Sequence, residues 1–196
     1  MAEGGGFGGV KLCRRQALLG AALALSPLLN IPAARADDPP DETATGPQVG
    51  DHFVFLTGPN KGQPAKAEHL ELGGPQLQVY PADPKGLVRD GTPLNLVLLV
   101  RVGDEGLDEQ TRKLSADGVV AYSAICTHQA CPVTQWSDEK KAMVCSCHGS
   151  TYDPKNSAKV IFGPAPMSIA GLPLKSENGV LIVAGAFDGP IGRQTD

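Results

Sequence analysis

Residues 126–131 read C-T-H-Q-A-C, and residues 145–150 read C-S-C-H-G-S. The chain has 196 residues with five cysteines and four histidines, and these two stretches hold all but one of the cysteines and half of the histidines. The residues between the two stretches are enough for a β-excursion that brings them face to face. Cysteine and histidine interleaved in this way indicate metal-binding loops.

Three kinds of site would explain the pattern. Two disulfides are common in exported domains, but they leave the histidines without a role. A structural zinc site would take two cysteines and two histidines, although zinc fingers place the two kinds of ligand in separate segments. A [2Fe–2S] centre with two cysteines on one iron and two histidines on the other takes one ligand of each kind from each stretch. The residues favour the third site and leave the other two open.

Over residues 119–166 the sequence resembles the Rieske iron–sulfur family, whose loops carry C-T-H-x-G-C and C-P-C-H-G-S. The resemblance implies a [2Fe–2S] cluster as the cofactor. It implies that the Cys126 and Cys145 thiolates bind one iron. It also implies that His128 and His148 bind the other iron through imidazole nitrogens.

The same resemblance implies roles around the cluster. Cys131 and Cys147 match the family's loop disulfide, and residues 163–166, G-P-A-P, match its cover loop. Ser150 and Tyr152 stand where high-potential members place hydroxyls that hydrogen-bond to a bridging sulfide and to a ligand cysteine. Such hydrogen bonds stabilise the more negative reduced state, so we expect a potential in the upper half of the range of about −150 to +300 mV.

Three positions depart from the family pattern. Ala130 replaces a glycine, which would cost about 1 kcal/mol if the backbone there has positive φ. Ser146 replaces a proline, so the second loop is less rigid in advance. Gln129 stands where quinol-oxidising members carry leucine, which weakens the case for docking to a hydrophobic quinone.

The rest of the chain predicts an all-β fold. The 24 glycines and 17 prolines separate short apolar runs, and residues 107–115 form the one helical pattern. The resemblance implies an antiparallel β-sandwich with a small cluster-binding subdomain, about residues 124–166, and a short helical insertion. We predict strands at residues 52–56, 77–80, 94–102, 119–125, 142–145, 159–162, 167–169 and 180–184, with a tight Asn178-Gly179 hairpin turn.

Residues 1–36 have the pattern of an export signal. Lys11, Arg14 and Arg15 precede an apolar stretch, and A-R-A at residues 34–36 is a cleavage pattern. The adjacent arginines favour a twin-arginine signal. An ordinary secretory signal and an uncleaved anchor remain open.

The export signal predicts a periplasmic location. Together with composition, it divides the chain into three segments: the signal, an arm and a folded domain. Residues 37–48 are polar and Pro-rich, so we expect a flexible arm before a Rieske domain at residues 49–196. A loop disulfide would agree with an oxidising compartment. The protein is expected to be soluble if it is cleaved after Ala36, and to contact a membrane only if the signal is kept.

The net charge and the motifs limit the classes of partner and of reaction that this chain could have. The formal net charge is −4 without a basic stripe, which argues against nucleic acid as a partner. No motif for substrate chemistry stands out, so we expect the chain to pass single electrons to or from a larger redox subunit or a cytochrome.

Two branches of the family are candidates. Residues 118–123 and 192–194 resemble the small subunit of arsenite oxidase, whereas residues 147–150 and 163–166 resemble the Rieske subunit of cytochrome bc complexes. We favour the small subunit of a periplasmic oxidoreductase, with a quinol-oxidising bc subunit as the alternative. Ring-hydroxylating oxygenases fit poorly, because they lack the second cysteine pair and an export signal.

Overall fold

Residues 40–194 are described by a computed structural model, and most of their regular structure is β-strand. The export signal predicted for residues 1–36 lies outside the described residues. Within the described part, no helix is long and apolar enough to cross a membrane. The elements are β1 (His52–Phe55), β2 (Leu77–Ala82), β3 (Val97–Arg101), α1 (Glu109–Leu114), β4 (Val119–Ser123), β5 (Val133–Ser137), β6 (Ala142–Cys145), β7 (Thr151–Asp153), β8 (Lys159–Phe162), β9 (Gly171–Leu172), β10 (Leu174–Glu177) and β11 (Val180–Val183).

The strands form two antiparallel sheets, which confirms the predicted all-β class. The larger sheet has seven strands in the order β10-β11-β1-β2-β3-β4-β9. The smaller sheet has four strands in the order β5-β6-β7-β8, and it carries the cysteine- and histidine-rich loops. The predicted Asn178-Gly179 turn joins β10 to β11, where Glu177 pairs with Val180.

Two apolar cores hold the sheets together. All seven strands of the larger sheet contribute to one core, so this sheet curls around its own interior. The second core lies between the larger and the smaller sheet. Alternate residues of β3 enter the two cores, which is why this strand is apolar throughout instead of alternating. The largest buried side chains of the second core are Leu98, Val100, Tyr122, Met143, Tyr152 and Ile169.

Several strand predictions differ from the structure. The strand predicted at 94–102 begins only at Val97, because Pro93–Asn95 forms a 3-10 turn. Residues 167–169 are not a strand, and the pairing with β4 falls instead at β9. β5 is polar and β7 has only three residues, so neither strand shows the alternating apolar pattern from which a strand is predicted.

The predicted helical insertion lies between β3 and β4 of the larger sheet and is hydrogen-bonded to the smaller sheet. Asp108 caps α1 by accepting a hydrogen bond from the Thr111 amide at 2.7 Å, and it also accepts one from the Ser157 hydroxyl at 2.7 Å. Burial alone would raise the pKa of Asp108, but these hydrogen bonds hold it below its ordinary value. A single carboxylate therefore ties the helix to the turn between β7 and β8.

Residues 37–48 were expected to form a flexible arm, but in the part that the structure describes this arm is hydrogen-bonded to the domain. The Thr43 carbonyl accepts from the Gly91 amide at 3.1 Å, and a Cβ at Gly91 would lie 2.2 Å from the Thr43 hydroxyl. The buried Asn95 side-chain amide donates to the Thr43 and Thr45 carbonyls at 3.3 and 2.9 Å. The composition of this segment predicted flexibility. It is held in place because the buried Asn95 amide needs the Thr43 and Thr45 carbonyls as hydrogen-bond partners.

Replacing Asn95 by alanine is expected to release this segment and lower the free energy of unfolding by about 2 kcal/mol, because the carbonyls of Thr43, Thr45 and Arg89 lose a donor. Denaturant unfolding measures the loss, and faster hydrogen exchange at the Gly91 amide locates it. Asn156→Ala, at an exposed turn residue, is the matched control. An unchanged free energy of unfolding in Asn95→Ala would contradict the docking.

Candidate metal centre

The first cysteine-rich loop, residues 126–131 (loop 1), follows β4. The Cys126 amide donates to the Cys131 carbonyl at 2.8 Å, and the Ala130 amide donates to the Cys126 carbonyl at 3.0 Å. Ala130 has φ of 55°, the left-handed conformation that glycine adopts more easily. The alanine that departs from the family pattern therefore sits at the position where a methyl costs about 1 kcal/mol.

The second loop, residues 145–150 (loop 2), joins β6 to β7 and repeats this geometry. The Cys145 amide donates to the Ser150 carbonyl at 2.8 Å, and the Gly149 amide donates to the Cys145 carbonyl at 2.9 Å. Gly149, like its counterpart Ala130, has positive φ, at 73°. The two loops thus place Cys126 and Cys145 at equivalent positions of the same turn.

A disulfide between Cys131 and Cys147 joins the two loops, with the Cα atoms 6.5 Å apart. Cys126 and Cys145 are the free cysteines of the described residues, and both are buried. Cys131, Cys145 and Cys147 also lie close enough together to suggest a shared metal ion. Because two of those sulfurs are bonded to each other, only Cys145 of that group keeps a thiol that can bind metal.

The two histidines differ in exposure. His128 is partly buried, whereas His148 is exposed. Their rings lie edge to face with centroids 4.7 Å apart. His128 Nδ1 is buried and has no hydrogen-bond partner among residues 40–194, which is costly for a polar atom unless something binds there.

The two free thiols sit in different electrostatic surroundings. Burial alone would raise the pKa of the Cys126 thiol, but hydrogen bonds from the Tyr152 hydroxyl and the His128 amide bring it below its ordinary value. Burial raises the pKa of the Cys145 thiol, and the neighbouring Cys126 sulfur raises it further. Cys126 is therefore the thiol that loses its proton more readily.

Both predicted hydroxyls point into this region. The Tyr152 hydroxyl lies 3.1 Å from Cys126 Sγ, and the whole tyrosine is buried. Burial raises the pKa of Tyr152, and so does the hydrogen bond with Cys126. The buried Ser150 hydroxyl accepts a hydrogen bond from the Ala165 amide at 3.2 Å, so its own proton is free to be donated elsewhere.

The cover loop packs onto loop 2 and is tied to loop 1. A Cβ at Gly163 would lie 2.6 Å from Ser150 Cα, so only glycine fits this contact. The buried Thr127 hydroxyl donates to the Met167 carbonyl at 2.7 Å. Sequence reasoning missed the role of Thr127, although its place between the cysteine and histidine of loop 1 was a signal.

The C-terminal segment also reaches loop 1. A Cβ at Gly192 would lie 3.1 Å from Ile125 Cγ2 and 3.6 Å from Ala130 Cβ. Asp188 holds this segment by accepting from the Gly171 amide at 2.6 Å. No local pattern in the sequence places Gly192 beside loop 1.

These residues fit an iron–sulfur group, and they exclude one of the two alternatives. Two disulfides are excluded, because Cys126 and Cys145 are free. Two buried thiols on one side of the site and two imidazoles, one with an unpartnered buried nitrogen, supply the mixed donor set of a [2Fe–2S] centre with two cysteine and two histidine ligands. A β-domain that presents such a pair of loops at one end belongs to the class of iron–sulfur electron-transfer proteins.

Comparisons with known proteins identify the family. The family model of the Rieske [2Fe-2S] domain matches residues 70–173, more than half of the chain. This chain belongs to the Rieske family, which binds a [2Fe–2S] cluster and transfers electrons. The matched range contains both loops and the cover loop.

Individual relatives cover the chain to different extents. The chain is 28% identical over 186 residues to the cytochrome bc1 complex Rieske iron-sulfur subunit of Streptomyces coelicolor, covering 91% of this chain and 51% of that protein. It is 31% identical over 151 residues to a protein of Haloferax mediterranei named as a Rieske subunit of a respiratory nitrate reductase, covering 76% and 64%. The chain thus spans about half to two thirds of the length of these relatives.

One solved structure is the soluble domain of the Rieske protein II (soxF) from Sulfolobus acidocaldarius. It is 15% identical, covers 74% of this chain and 71% of that chain, and has a TM-score of 0.40.

Proposed function

We propose that this chain is an exported, high-potential Rieske subunit that carries single electrons for a larger periplasmic oxidoreductase. The observation that supports it most is the pairing of two buried free thiols with two imidazoles, one of them exposed. Buried thiols suit stable ligation, and an exposed imidazole gives a redox partner a short route to the centre.

The geometry and the family both support the ligand roles proposed for these residues. When bound, the cluster supplies one-electron chemistry at a potential tuned by its ligands and hydrogen bonds. Cys126 and Cys145 would hold one iron, and His128 and His148 would hold the other. Tyr152 would donate its hydroxyl proton to the Cys126 sulfur. Ser150, oriented by the Ala165 amide, would have its hydroxyl proton available for a sulfur of the bound cluster.

The location and the partner rest on other features. The adjacent Arg14 and Arg15 support export of the folded protein by the twin-arginine route, and the disulfide suits an oxidising compartment. Gln129 is exposed on loop 1 and follows His128, whose ring lies 4.7 Å from that of the exposed His148. A polar side chain there supports a protein partner, as in arsenite-oxidase-like enzymes, more than a hydrophobic quinol.

The second candidate is the Rieske subunit of a quinol-oxidising bc complex. Several of its relatives carry that name, and those relatives favour this candidate. In this case residues 1–36 would remain attached as a membrane anchor, and loop 1 would meet the quinol.

Fractionation of cells that express the chain with a C-terminal tag separates the two candidates. A periplasmic red-brown protein that lacks residues 1–36 and co-purifies with a large molybdenum-bearing subunit is the expected result. Recovery from membranes with a b-type cytochrome, and with residues 1–36 attached, would establish the bc candidate instead. A colourless protein without iron would contradict both.

The hydrogen bond from Tyr152 gives a measurable prediction. Replacing Tyr152 by phenylalanine is expected to lower the reduction potential by roughly 40 mV, because a hydrogen bond to sulfur that favours the reduced state by about 1 kcal/mol is lost. Protein-film voltammetry measures the shift. Tyr122→Phe is the matched control, since that buried hydroxyl donates to the Pro154 carbonyl instead. Equal potentials in Tyr152→Phe and Tyr122→Phe would contradict the assignment.

A further inference from the structure

A buried isoleucine at the start of loop 1 lies outside both apolar cores. Ile125 immediately precedes Cys126 and is only 3% exposed, yet it belongs to neither of the two cores formed by the described residues. Ala124 and Cys126, on either side of it, enter the core between the two sheets. Ile125 also pairs with Pro132 in an isolated bridge across the base of loop 1. A segment outside the cores must therefore cover this side chain.

The C-terminal segment, residues 188–194 (the tail), lies over Ile125. A Cβ at Gly192 would lie 3.1 Å from Ile125 Cγ2, and Gly192 itself is buried. Gly192 has φ of 71°, in the left-handed region that glycine adopts without strain. Any other residue there would press a side chain against Ile125 and would also strain the backbone, so this close contact depends on glycine.

Asp188 anchors the other end of the tail to two elements. The Asp188 amide donates to the Gly171 carbonyl at 2.9 Å, and Asp188 Oδ1 accepts from the Gly171 amide at 2.6 Å. Asp188 Oδ2 accepts from the Gln110 side-chain amide at 3.1 Å. Because Gly171 begins β9 and Gln110 lies in α1, both elements hold this end of the tail.

The middle of the tail is loosely packed. Gly189 and Pro190 line a cavity of about 310 Å³ together with Met167 and Ala170, which belong to the segment that follows the cover loop. A Cβ at Gly189 would lie 3.8 Å from Ala170 Cβ, which is ordinary van der Waals contact. The tail is thus held at its anchor on β9 and α1 and again at its contact with loop 1, with a cavity beside the residues between these two points.

We propose that the tail is a strap that positions loop 1: by covering Ile125 it fixes the adjacent candidate ligand, Cys126, and keeps water from this side of the centre. Ile125 and Gly192 are positioning residues, because they are not candidate ligands and act through Cys126. An apolar shell beside a metal ligand limits the access of water, and the access of water is one of the factors that set a reduction potential. The proposal rests on cluster binding by the two loops and is independent of the identity of the redox partner.

Hydrogen exchange tests whether the tail holds loop 1. Replacing Gly192 by valine is expected to lift the tail, because the new side chain would collide with Ile125 and is strained at positive φ. Measured by mass spectrometry, peptides that contain loop 1 should then exchange about tenfold faster, whereas peptides that contain loop 2 should change less than about twofold. Equal acceleration of both loops would indicate general destabilisation and would overturn the proposal.

Gly189→Ala is the matched control within the tail. Gly189 lies outside the left-handed region, and a Cβ has room there, so this variant should exchange like the wild type in both loops. Acceleration of loop 1 by Gly189→Ala equal to that by Gly192→Val would mean that any change in the tail has this effect, and the proposed contact would lose its support.

A double-mutant cycle tests the contact between the tail and loop 1 directly. Ile125→Ala removes the Cγ2 atom that a Cβ at position 192 would meet. The effect of Gly192→Ala on loop 1 exchange is therefore expected to be at least about threefold smaller in the Ile125→Ala background than in the wild type, because residues in contact do not act additively. Additive effects of the two substitutions would contradict the contact.

The reduction potential tests whether the strap acts on the centre itself. The reduced state is the more negative one, so water admitted beside Cys126 stabilises it. At a fixed poise, the ratio of reduced to oxidised centre in Gly192→Val is therefore expected to rise about threefold, which is roughly 28 mV at about 59 mV per tenfold. Gly192→Ala, with its smaller side chain, provides the same test if the valine variant loses its cluster. An unchanged or lower potential would overturn the proposal, whereas a wild-type chain that binds no iron would contradict cluster binding itself.

Discussion

Replacing Cys145 by serine is expected to abolish cluster binding, with iron per chain falling below about a tenth of the wild-type value. A ligand must be deprotonated to bind iron, and a serine hydroxyl holds its proton far more tightly than a thiol does. Cys145 is one of the two free, buried cysteines of the described residues, so no neighbouring thiol can replace it. Iron analysis and the visible spectrum of the purified variant measure the loss.

The control for this variant lies one residue away. Ser146 is exposed on the same loop, and Ser146→Ala is expected to keep full iron content. Iron retained in Cys145→Ser would mean that the cluster takes a different ligand set. Iron lost equally in Ser146→Ala would mean that loop 2 tolerates no change, and the assignment of Cys145 would lose its support.

Removing the disulfide is expected to cause the largest loss of stability. In the double variant Cys131→Ala with Cys147→Ala, a crosslink between residues 16 apart is lost. By limiting the entropy of the unfolded chain, the disulfide stabilises the fold by about 3 kcal/mol. For a domain of this size, its loss lowers the melting temperature by roughly 6–12 °C. Thermal unfolding followed by circular dichroism measures the shift.

A reductant separates this effect from simple loss of packing. Dithiothreitol should lower the melting temperature of the wild-type protein toward that of the double variant and leave the double variant unchanged. A wild-type melting temperature that does not respond to the reductant, with the double variant equally stable, would contradict a stabilising crosslink. If the double variant melted lower but the reduced wild type did not, the loss would come from packing around the alanines.

Much of the site could be predicted from the spacing of a few residues. Each loop closes on itself through hydrogen bonds between residues four and five apart, so six consecutive residues are enough to define it. The same locality explains the hairpin at Asn178-Gly179 and the helix cap at Asp108. Where the structure depends on such short-range geometry, the sequence predictions agree with it.

Long-range contacts could not be predicted in this way. The docking of residues 42–45 depends on Asn95, about 50 residues further along the chain, and composition alone suggested a flexible arm. The hydrogen bond from Thr127 to Met167 and the contact of Gly192 with loop 1 likewise join distant segments. The place of Thr127 in loop 1 gives a local signal but does not reveal Met167 as its partner, and Gly192 has no such signal in the sequence.

The sequence by itself determined the class of fold, the family and the set of candidate ligands, because strand patterns and loop motifs are local. Only the tertiary structure decided that His148 is exposed whereas His128 Nδ1 is buried, and that Gly192 lies against loop 1. Those properties depend on how the two sheets pack and on where the segment around Gly192 returns to loop 1, and both bring together residues that are far apart in the chain.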